Sequence, residues 1–212
     1  MRTAVIAGST GLIGGQLLSL LLNSDRYDRV LAFTRQNLPA HSKLVTVELG
    51  QEKKFALDST WSVDDVFCCL GTTMAKAHTK EKFYEVDFTY PLLLAHNALA
   101  RNAKQYLLVS ALGADKQSRI YYNQVKGQIE EAISAVGFET VHIFRPSLLL
   151  GPRAEHRSAE DAAKIFYKIF GFLIPAKYMA IGSEKVARAM LHFASQEQKG
   201  AFIHESKTLQ NF

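Results

Sequence analysis

Three side chains in the second half of the chain could together carry out acid–base chemistry at a carbonyl group. Tyr122 lies four residues before Lys126 on a predicted helix, so the two side chains project from one face. An ammonium near a phenol favours the phenolate, which lowers the pKa of a tyrosine from its reference value of about 10. Such a tyrosine can protonate a carbonyl oxygen or deprotonate an alcohol. Ser110 ends the preceding predicted strand and could donate a hydrogen bond to the same oxygen, whereas Tyr121 lacks the spacing to Lys126.

A glycine-rich turn near the start of the chain predicts a binding site for a dinucleotide. It lies between an apolar β-type run and a Leu-rich helical pattern. Its glycines would let the backbone approach a pyrophosphate, and the following helix would direct its positive N-terminus at the phosphates. Tight strand-to-helix turns need glycine in any case, so the pattern gains its weight from the later Ser/Tyr/Lys set. The predicted pyrophosphate-binding residues are Gly8, Ser9, Thr10, Gly11, Leu12, Ile13 and Gly14.

The ends of the second and fourth predicted strands extend this site. An NAD site usually has an acidic residue after the second strand, whereas this chain has Arg35. Because an arginine can pair with a 2′-phosphate, we expect NADP(H) to be preferred over NAD(H), the alternative being a surface arginine in a loop. After the fourth strand, Leu70, Gly71 and Thr72 are predicted cofactor contacts, with an ordinary strand-ending turn as the alternative.

Strand-like and helix-like segments alternate along the chain, and this order predicts how the site is assembled. It indicates an α/β fold: one doubly wound Rossmann-type domain over residues 1–212, with a mostly parallel sheet of about seven strands. Substrate-side loops are expected in 72–86 and 151–182. The predicted strands are Thr3–Ala7, Val30–Thr34, Leu44–Leu49, Val66–Leu70, Tyr106–Ser110, Thr140–Phe144 and Ala201–Glu205. The predicted helices are Leu12–Asn23, a region from about 80 to 102, Tyr121–Val136, Ala159–Phe170 and Glu184–Ser195, with Ser183 as a cap of the last.

Composition excludes several other classes of protein. The 212 residues carry a net charge of +5 without a dense basic run, so we expect no nucleic-acid partner. No apolar stretch is long enough to span a bilayer, and the histidines lack metal-ligand spacing. The adjacent Cys68 and Cys69 are expected to be reduced thiols in a cytoplasmic protein. Whether the protein is a monomer or a homodimer stays open.

The chain resembles the atypical short-chain dehydrogenase/reductase family, and within it the Tat-interactive-protein branch and its bacterial relatives. The resemblance rests on the glycine turn, Ser110, the Tyr122–Lys126 motif, and Arg145, Pro146 and Ser147 after the sixth strand. It implies NADPH binding, with Lys126 and Tyr122 also contacting the cofactor and the Arg-Pro-Ser backbone beside the nicotinamide. Many members carry an asparagine of a proton relay where this chain has Asp87. Asp87 could instead cap a helix that has Pro91 near its first turn, or an earlier helix could continue with a kink at Pro91.

These observations together predict an NADP(H)-dependent oxidoreductase acting on a small carbonyl or alcohol substrate. Tyr122 would be the acid–base residue, Lys126 would tune it, and Ser110 would orient the substrate oxygen. The alternative is an NADPH-sensing regulatory protein without significant turnover, since the branch includes proteins described as regulators. Sugar-nucleotide epimerisation uses the same triad, but we expect a longer C-terminal region for such a pocket.

Overall fold

A computed structural model describes residues 1–49, 55–150 and 178–212. Its strands are β1 Thr3–Ala7, β2 Arg29–Thr34, β3 Leu44–Glu48, β4 Asp65–Cys68, β5 Gln105–Val109, β6 Thr140–Arg145, β7 Leu149–Leu150, β8 Ile181–Gly182 and β9 Gly200–Glu205. Its helices are α1 Leu12–Asn23, α2 Met74–Ala77, α3 Lys80–Tyr84, a π-helical segment Glu85–Thr89, α4 Tyr90–Leu99, α5 Tyr121–Ala135, α6 Ser183–Ser195 and α7 Ser206–Leu209.

Seven of the strands form one sheet with the order β3-β2-β1-β4-β5-β6-β9, and every neighbouring pair is parallel. The order reverses beside β1, because the chain moves outward to β2 and β3 and then returns to β4 on the other side. Ala7 at the end of β1 pairs with Phe33 of β2 and with Cys68 of β4. The turns that follow these three strands therefore meet at one edge of the sheet, which is where doubly wound folds bind their ligands.

Helices cover both faces of the sheet. On one face, α1 and α6 pack against alternate strand residues, with Ile6, Leu17 and Met190 fully buried. On the other face, α4 and α5 pack against the intervening residues, with Val5, Leu94, and Ile129 among those buried there. This two-sided cover explains why strands such as Gln105–Val109 read as continuous apolar runs rather than alternating ones.

The predicted α/β fold is confirmed, and the boundaries of the predicted strands agree with the structure to within two residues at each end. Ser183 is the first residue of α6 rather than its cap; Gly182 occupies the cap position, and Ser183 Oγ makes no capping bond. The short helices α2 and α7 and the β7–β8 pair were not predicted, since such short elements depend on tertiary contacts. The predicted helix Ala159–Phe170 and most of the 151–182 loop lie outside the described residues.

The region predicted as one ambiguous helix runs from Lys80 to Leu99 with a π-helical turn in its middle. The Tyr90 N–H donates to Glu85 O, a bond one residue longer than that of an α-helix. Pro91 follows at once, and a proline ring crowds the carbonyl of the preceding turn and cannot donate a hydrogen bond. The widened turn accommodates Pro91, and it places Asp87 inside the helix rather than at a cap.

The buried Asp65 carboxylate links several elements at the amino-terminal edge of the sheet, opposite the glycine turn. Asp65 begins β4 and is fully buried. It accepts hydrogen bonds from Tyr27 OH at 2.7 Å and Arg2 Nε at 3.0 Å, and Arg26 Nε lies 3.6 Å away. Glu197 joins the same group from the surface, with Oε1 2.8 Å from Arg2 Nη1. This network ties β1, β4 and the α1–β2 connection together.

Two buried histidines join β6 to the edge strand β9. His142 Nδ1 and His204 Nε2 are 2.9 Å apart and share one hydrogen bond. Aromatic rings surround them, with His204 stacked on Phe193 at 3.8 Å and His142 stacked on Phe202 at 5.2 Å. Burial lowers the pKa of each histidine to about 4, so both rings are neutral at neutral pH.

Candidate active site

The glycine turn packs directly on the backbone that follows β4. Gly8 has φ +84°, and a Cβ there would lie 2.5 Å from Cys69 O. A Cβ on Gly14 would lie 2.1 Å from Gly8 O, so the first turn of α1 rests on the loop before it. Larger residues at either position would force the β1–α1 turn away from β4.

The N-terminus of α1 is open to an anion. Gly11 occupies its cap position without a side-chain hydrogen bond, and no acidic residue lies in the first turn. Ser9 Oγ is buried and has no hydrogen-bond partner among the described residues. Free backbone N–H groups and an unpartnered hydroxyl at a helix N-terminus suit a pyrophosphate, so the residues present fit a dinucleotide.

The neighbouring predicted cofactor residues follow β2 and β4 at the same edge. Arg35 is exposed directly after β2. Gly71 is also exposed, and a Cβ there would lie 3.6 Å from Asp87 Oδ1 and 3.7 Å from Lys126 Nζ. The predicted contacts Leu70, Gly71 and Thr72 therefore form one backbone segment between the glycine turn and the lysine of α5.

Helix α5 carries Tyr122 and Lys126, and a close backbone contact fixes its position. A Cβ on Gly127 would lie 2.1 Å from Lys116 N, so the loop after β5 crosses directly over the helix. The Asp115 N–H donates to Asn123 O at 3.1 Å and closes the same contact. The loop carrying the predicted serine is thus held against the first turns of α5.

Lys126 is buried in an ion pair that the sequence did not indicate. Only 4% of Lys126 and 1% of Asp87 is exposed, and Lys126 Nζ lies 2.7 Å from Asp87 Oδ1. The other carboxylate oxygen, Asp87 Oδ2, accepts a hydrogen bond from the Thr72 N–H at 2.8 Å. Burial alone would lower the pKa of the lysine, but the Asp87 carboxylate and the Tyr122 phenol outweigh it, so the pKa is raised.

The two adjacent tyrosines of α5 face different surroundings. Both rings pack against the buried Phe83 ring, at 5.6 Å for Tyr122 and 5.9 Å for Tyr121, and the two residues differ in their polar contacts. The Tyr122 phenol interacts electrostatically with Lys126. The Tyr121 OH instead donates to Lys80 O at 3.1 Å, and the Lys80 ammonium lies 5.1 Å from the Tyr121 ring. Lys126 therefore interacts electrostatically with Tyr122, and the catalytic role of the two residues stays a prediction.

Ser110 follows β5 directly, and its N–H donates to Phe144 O at 2.7 Å. Its side chain is 5% exposed, and Ser110 Oγ has no hydrogen-bond partner among the described residues. A buried hydroxyl without a partner costs free energy unless a ligand supplies one. Ser110 is thus suited to bind a substrate oxygen.

The side chains of the Arg-Pro-Ser turn after β6 bind other parts of the protein. Arg145 forms a two-pronged pair with Glu130, at 3.0 and 2.6 Å, and also contacts Glu205 at 3.1 Å. Ser147 Oγ donates to Met179 O and accepts from Ser206 Oγ. The backbone carbonyl of Pro146 accepts the Leu112 N–H at 2.9 Å, so this turn lies against the loop that follows Ser110. Its predicted contact with a nicotinamide stays a prediction.

The profile of the NAD dependent epimerase/dehydratase family matches residues 4–194. The chain is 35% identical to "Protein fmp52, mitochondrial" of Emericella nidulans over 179 residues, which are 81% of this chain and 77% of that protein. It is 34% identical to "Protein HTATIP2" of Rattus norvegicus over 198 residues, which are 90% of this chain and 80% of that protein. These relatives confirm the resemblance to atypical short-chain dehydrogenases/reductases.

Solved structures share the fold at lower sequence identity. The Bordetella bronchiseptica enzyme WbmH in complex with NAD+ has a TM-score of 0.71 at 17% identity, covering 97% of this chain and 76% of that one. The human epimerase family protein SDR39U1 with NADPH has a TM-score of 0.65 at 16% identity, covering 96% of this chain and 74% of that one. The chain therefore shares its fold with proteins that have been solved with bound NAD+ or NADPH.

The comparisons correct the expected cytoplasmic location. The fungal relatives are named as mitochondrial proteins, so the placement inferred from the two reduced cysteines is wrong on this evidence. Free thiols are compatible with more than one compartment, which is why Cys68 and Cys69 could not decide the question. None of the described helices is long and apolar enough to cross a bilayer. Its sequence profile, its relatives and its sheet order together place the chain in the NAD dependent epimerase/dehydratase family.

Proposed function

We propose that the protein is an NADP(H)-dependent oxidoreductase that interconverts a small carbonyl compound and its alcohol. The observation that carries the proposal is the buried Lys126, which lies one helical turn from Tyr122 and borders the Gly71 backbone at the dinucleotide edge of the sheet. A buried ammonium beside a phenol, at the ligand-binding edge of a nicotinamide-dependent fold, suits proton transfer.

In reduction, the bound dinucleotide would supply a hydride to the carbonyl carbon. Tyr122 would donate its phenolic proton to the carbonyl oxygen, and the proton would return to the phenolate from solvent. Ser110 Oγ, which lacks a partner, would hold the same oxygen by a hydrogen bond. Lys126 would stabilise the phenolate that forms, and the glycine turn with Ser9 would bind the pyrophosphate.

The test of the reaction uses two adjacent tyrosines. A panel of aliphatic and aromatic aldehydes and ketones is screened for NADPH consumption, and the best substrate is used with Tyr122→Phe and Tyr121→Phe. We expect Tyr122→Phe to keep its affinity for NADPH but to lose turnover by about 100-fold or more, while the control Tyr121→Phe keeps both. Unchanged turnover in Tyr122→Phe would remove the assignment.

The preference for NADP(H) rests on Arg35, which is exposed after β2 where a 2′-phosphate would lie. Arg35→Ala should weaken NADPH binding about tenfold or more and leave NADH binding nearly unchanged. Arg29→Ala, at the opposite end of the same strand, is the matched control. Equal losses for both nucleotides in Arg35→Ala would argue against recognition of the phosphate.

The alternative is an NADPH-sensing protein without significant turnover, and the same experiments separate the two functions. A sensor would bind NADPH in an Arg35-dependent manner yet consume none with any member of the panel. A failure to bind either nucleotide would contradict both functions. The unpartnered Ser110 hydroxyl favours turnover, since a dinucleotide sensor has no need of a hydroxyl aimed at a substrate oxygen.

A further inference from the structure

We propose that Asp87 is a positioning residue whose carboxylate, paired with Lys126, extends to higher pH the proton-donating state of the site that reduction requires. This inference rests on the proposed oxidoreductase function. It concerns a residue whose carboxylate touches neither the tyrosine nor the predicted substrate position, and which acts through Lys126.

The Asp87 carboxylate contacts two different elements of the protein. Asp87 Oδ1 lies 2.7 Å from Lys126 Nζ, and Asp87 Oδ2 accepts the Thr72 N–H at 2.8 Å. The carboxylate therefore connects the loop after β4 to helix α5, and both charged groups are almost fully buried. The orientation of the Asp87 carboxylate is fixed, because its two oxygens contact partners on different elements.

The ion pair of Asp87 and Lys126 carries no net charge next to Tyr122. An uncompensated ammonium would attract a phenolate strongly in a buried site, since little water screens the interaction. Here the Asp87 carboxylate compensates that ammonium. Loss of a proton by the Tyr122–Lys126 pair then leaves a net negative charge in the buried site. Without the carboxylate, the same loss would leave the site neutral. Asp87 consequently raises the pH at which the Tyr122–Lys126 pair releases a proton.

Other titratable groups lie near the Asp87–Lys126 pair. Among the described residues, Cys68 on β4 interacts electrostatically with Lys126 and Asp87, and Tyr106 on β5 interacts with Cys68. Burial raises the pKa of both side chains, which favours their neutral forms. The charges that the proposal concerns are those of the Asp87 carboxylate and the Lys126 ammonium.

The test is a titration that does not depend on turnover. Tyrosine ring carbons are labelled with ¹³C, and the signal of Tyr122 is assigned by its loss in Tyr122→Phe. In Asp87→Asn, which keeps the acceptor for the Thr72 N–H, the pair should release its proton at a pH lower by about one unit or more. The control Glu85→Gln changes a carboxylate of the same π-helical segment and should leave the titration unchanged. An unchanged midpoint in Asp87→Asn would overturn the proposal.

A second pair of variants keeps the test decisive if Asp87→Asn does not fold. The double variant Asp87→Asn/Lys126→Gln removes both charges, and Lys126→Gln alone leaves the carboxylate uncompensated. Tyr122 should hold its proton to a higher pH in Lys126→Gln than in the double variant, since only the former leaves an anion nearby. Equal midpoints would show that Asp87 exerts no influence on the phenol.

Kinetics then connect the titration to the reaction. If a substrate is found, the alkaline limit of the reduction rate should move to lower pH in Asp87→Asn by the same interval as the titration. A merely structural role for Asp87 would lower the rate at every pH without moving that limit. If no substrate is found but the titration moves, the proposed function fails while the role of Asp87 in proton balance stands.

Discussion

Alanine substitutions at two adjacent glycines of α1, Gly14 and Gly15, should change the free energy of unfolding in opposite directions. A Cβ on Gly14 would lie 2.1 Å from Gly8 O and 2.8 Å from Gly8 C, both of which are backbone atoms. A Cβ on Gly15 would meet nothing closer than Ser9 O at 3.6 Å, an ordinary contact. Both substitutions add one methyl group, and they do so at neighbouring positions. Only Gly14→Ala requires the glycine turn to move.

The expected magnitudes follow from these distances. Alanine replaces glycine in a helix interior with a gain of about 0.5–1 kcal/mol in the free energy of unfolding, and Gly15→Ala should show this gain. Gly14→Ala gains the same propensity, but the turn must move by more than about 1 Å to restore an ordinary contact, and such overpacking costs about 1–3 kcal/mol. The displaced backbone is the predicted pyrophosphate site, so NADPH affinity should fall about tenfold or more.

Urea unfolding and NADPH titration by fluorescence measure the two effects on the same preparations. We expect Gly15→Ala to unfold at a higher urea concentration than the wild type, with its nucleotide affinity retained. Gly14→Ala should unfold at a lower concentration and bind weakly. If Gly14→Ala matched Gly15→Ala in both measurements, the close contact between α1 and the turn would not be a constraint on the fold, and this reasoning would be refuted.

Two further predictions concern stability away from the site. Because burial lowers the pKa of His142 and His204 to about 4 from an ordinary value of 6.5, the unfolded chain binds more protons, and stability falls as the pH drops. The loss should be about 2 kcal/mol per histidine between pH 7 and pH 5, and urea unfolding of His142→Phe should show a smaller slope. Asp65→Asn removes the buried carboxylate on which Arg2, Arg26 and Tyr27 converge and should cost about 3–5 kcal/mol, whereas the exposed Glu197→Gln should have a much smaller effect; equal losses would contradict the buried network.

The parallel sheet could be predicted because its information is local and repeated. Runs such as Tyr106–Val109 are apolar at every position, which requires cover on both faces, and Leu12–Asn23 begins and ends in the structure where its pattern predicts. The glycine turn, Ser110 and the Tyr122–Lys126 spacing also indicated one edge of the sheet. Each of these motifs spans about a dozen residues or fewer. A parallel strand order is enough to bring them to the same edge of the sheet.

The Asp87–Lys126 pair could not be predicted, because its two members come from different helices and its geometry depends on a π-helical turn. In the sequence, Asp87 is four residues before Pro91, which is equally compatible with a cap and with a kink. Neither possibility buries the carboxylate against α5. The start of α6 was also predicted incorrectly by one residue. A serine before a helical pattern predicts a cap at Ser183, but Gly182 occupies the cap position.

The π-helical turn at Glu85–Thr89 also makes the site sensitive to chain length. A turn of this kind contains one residue more than an α-helical turn, and each residue rotates a helix by about 100°. Loss of a single residue between Phe83 and Pro91 would restore a regular helix and turn the Asp87 position away from Lys126. Deletion of one residue from this segment should therefore break the Asp87–Lys126 ion pair while the other residues of the site stay in place.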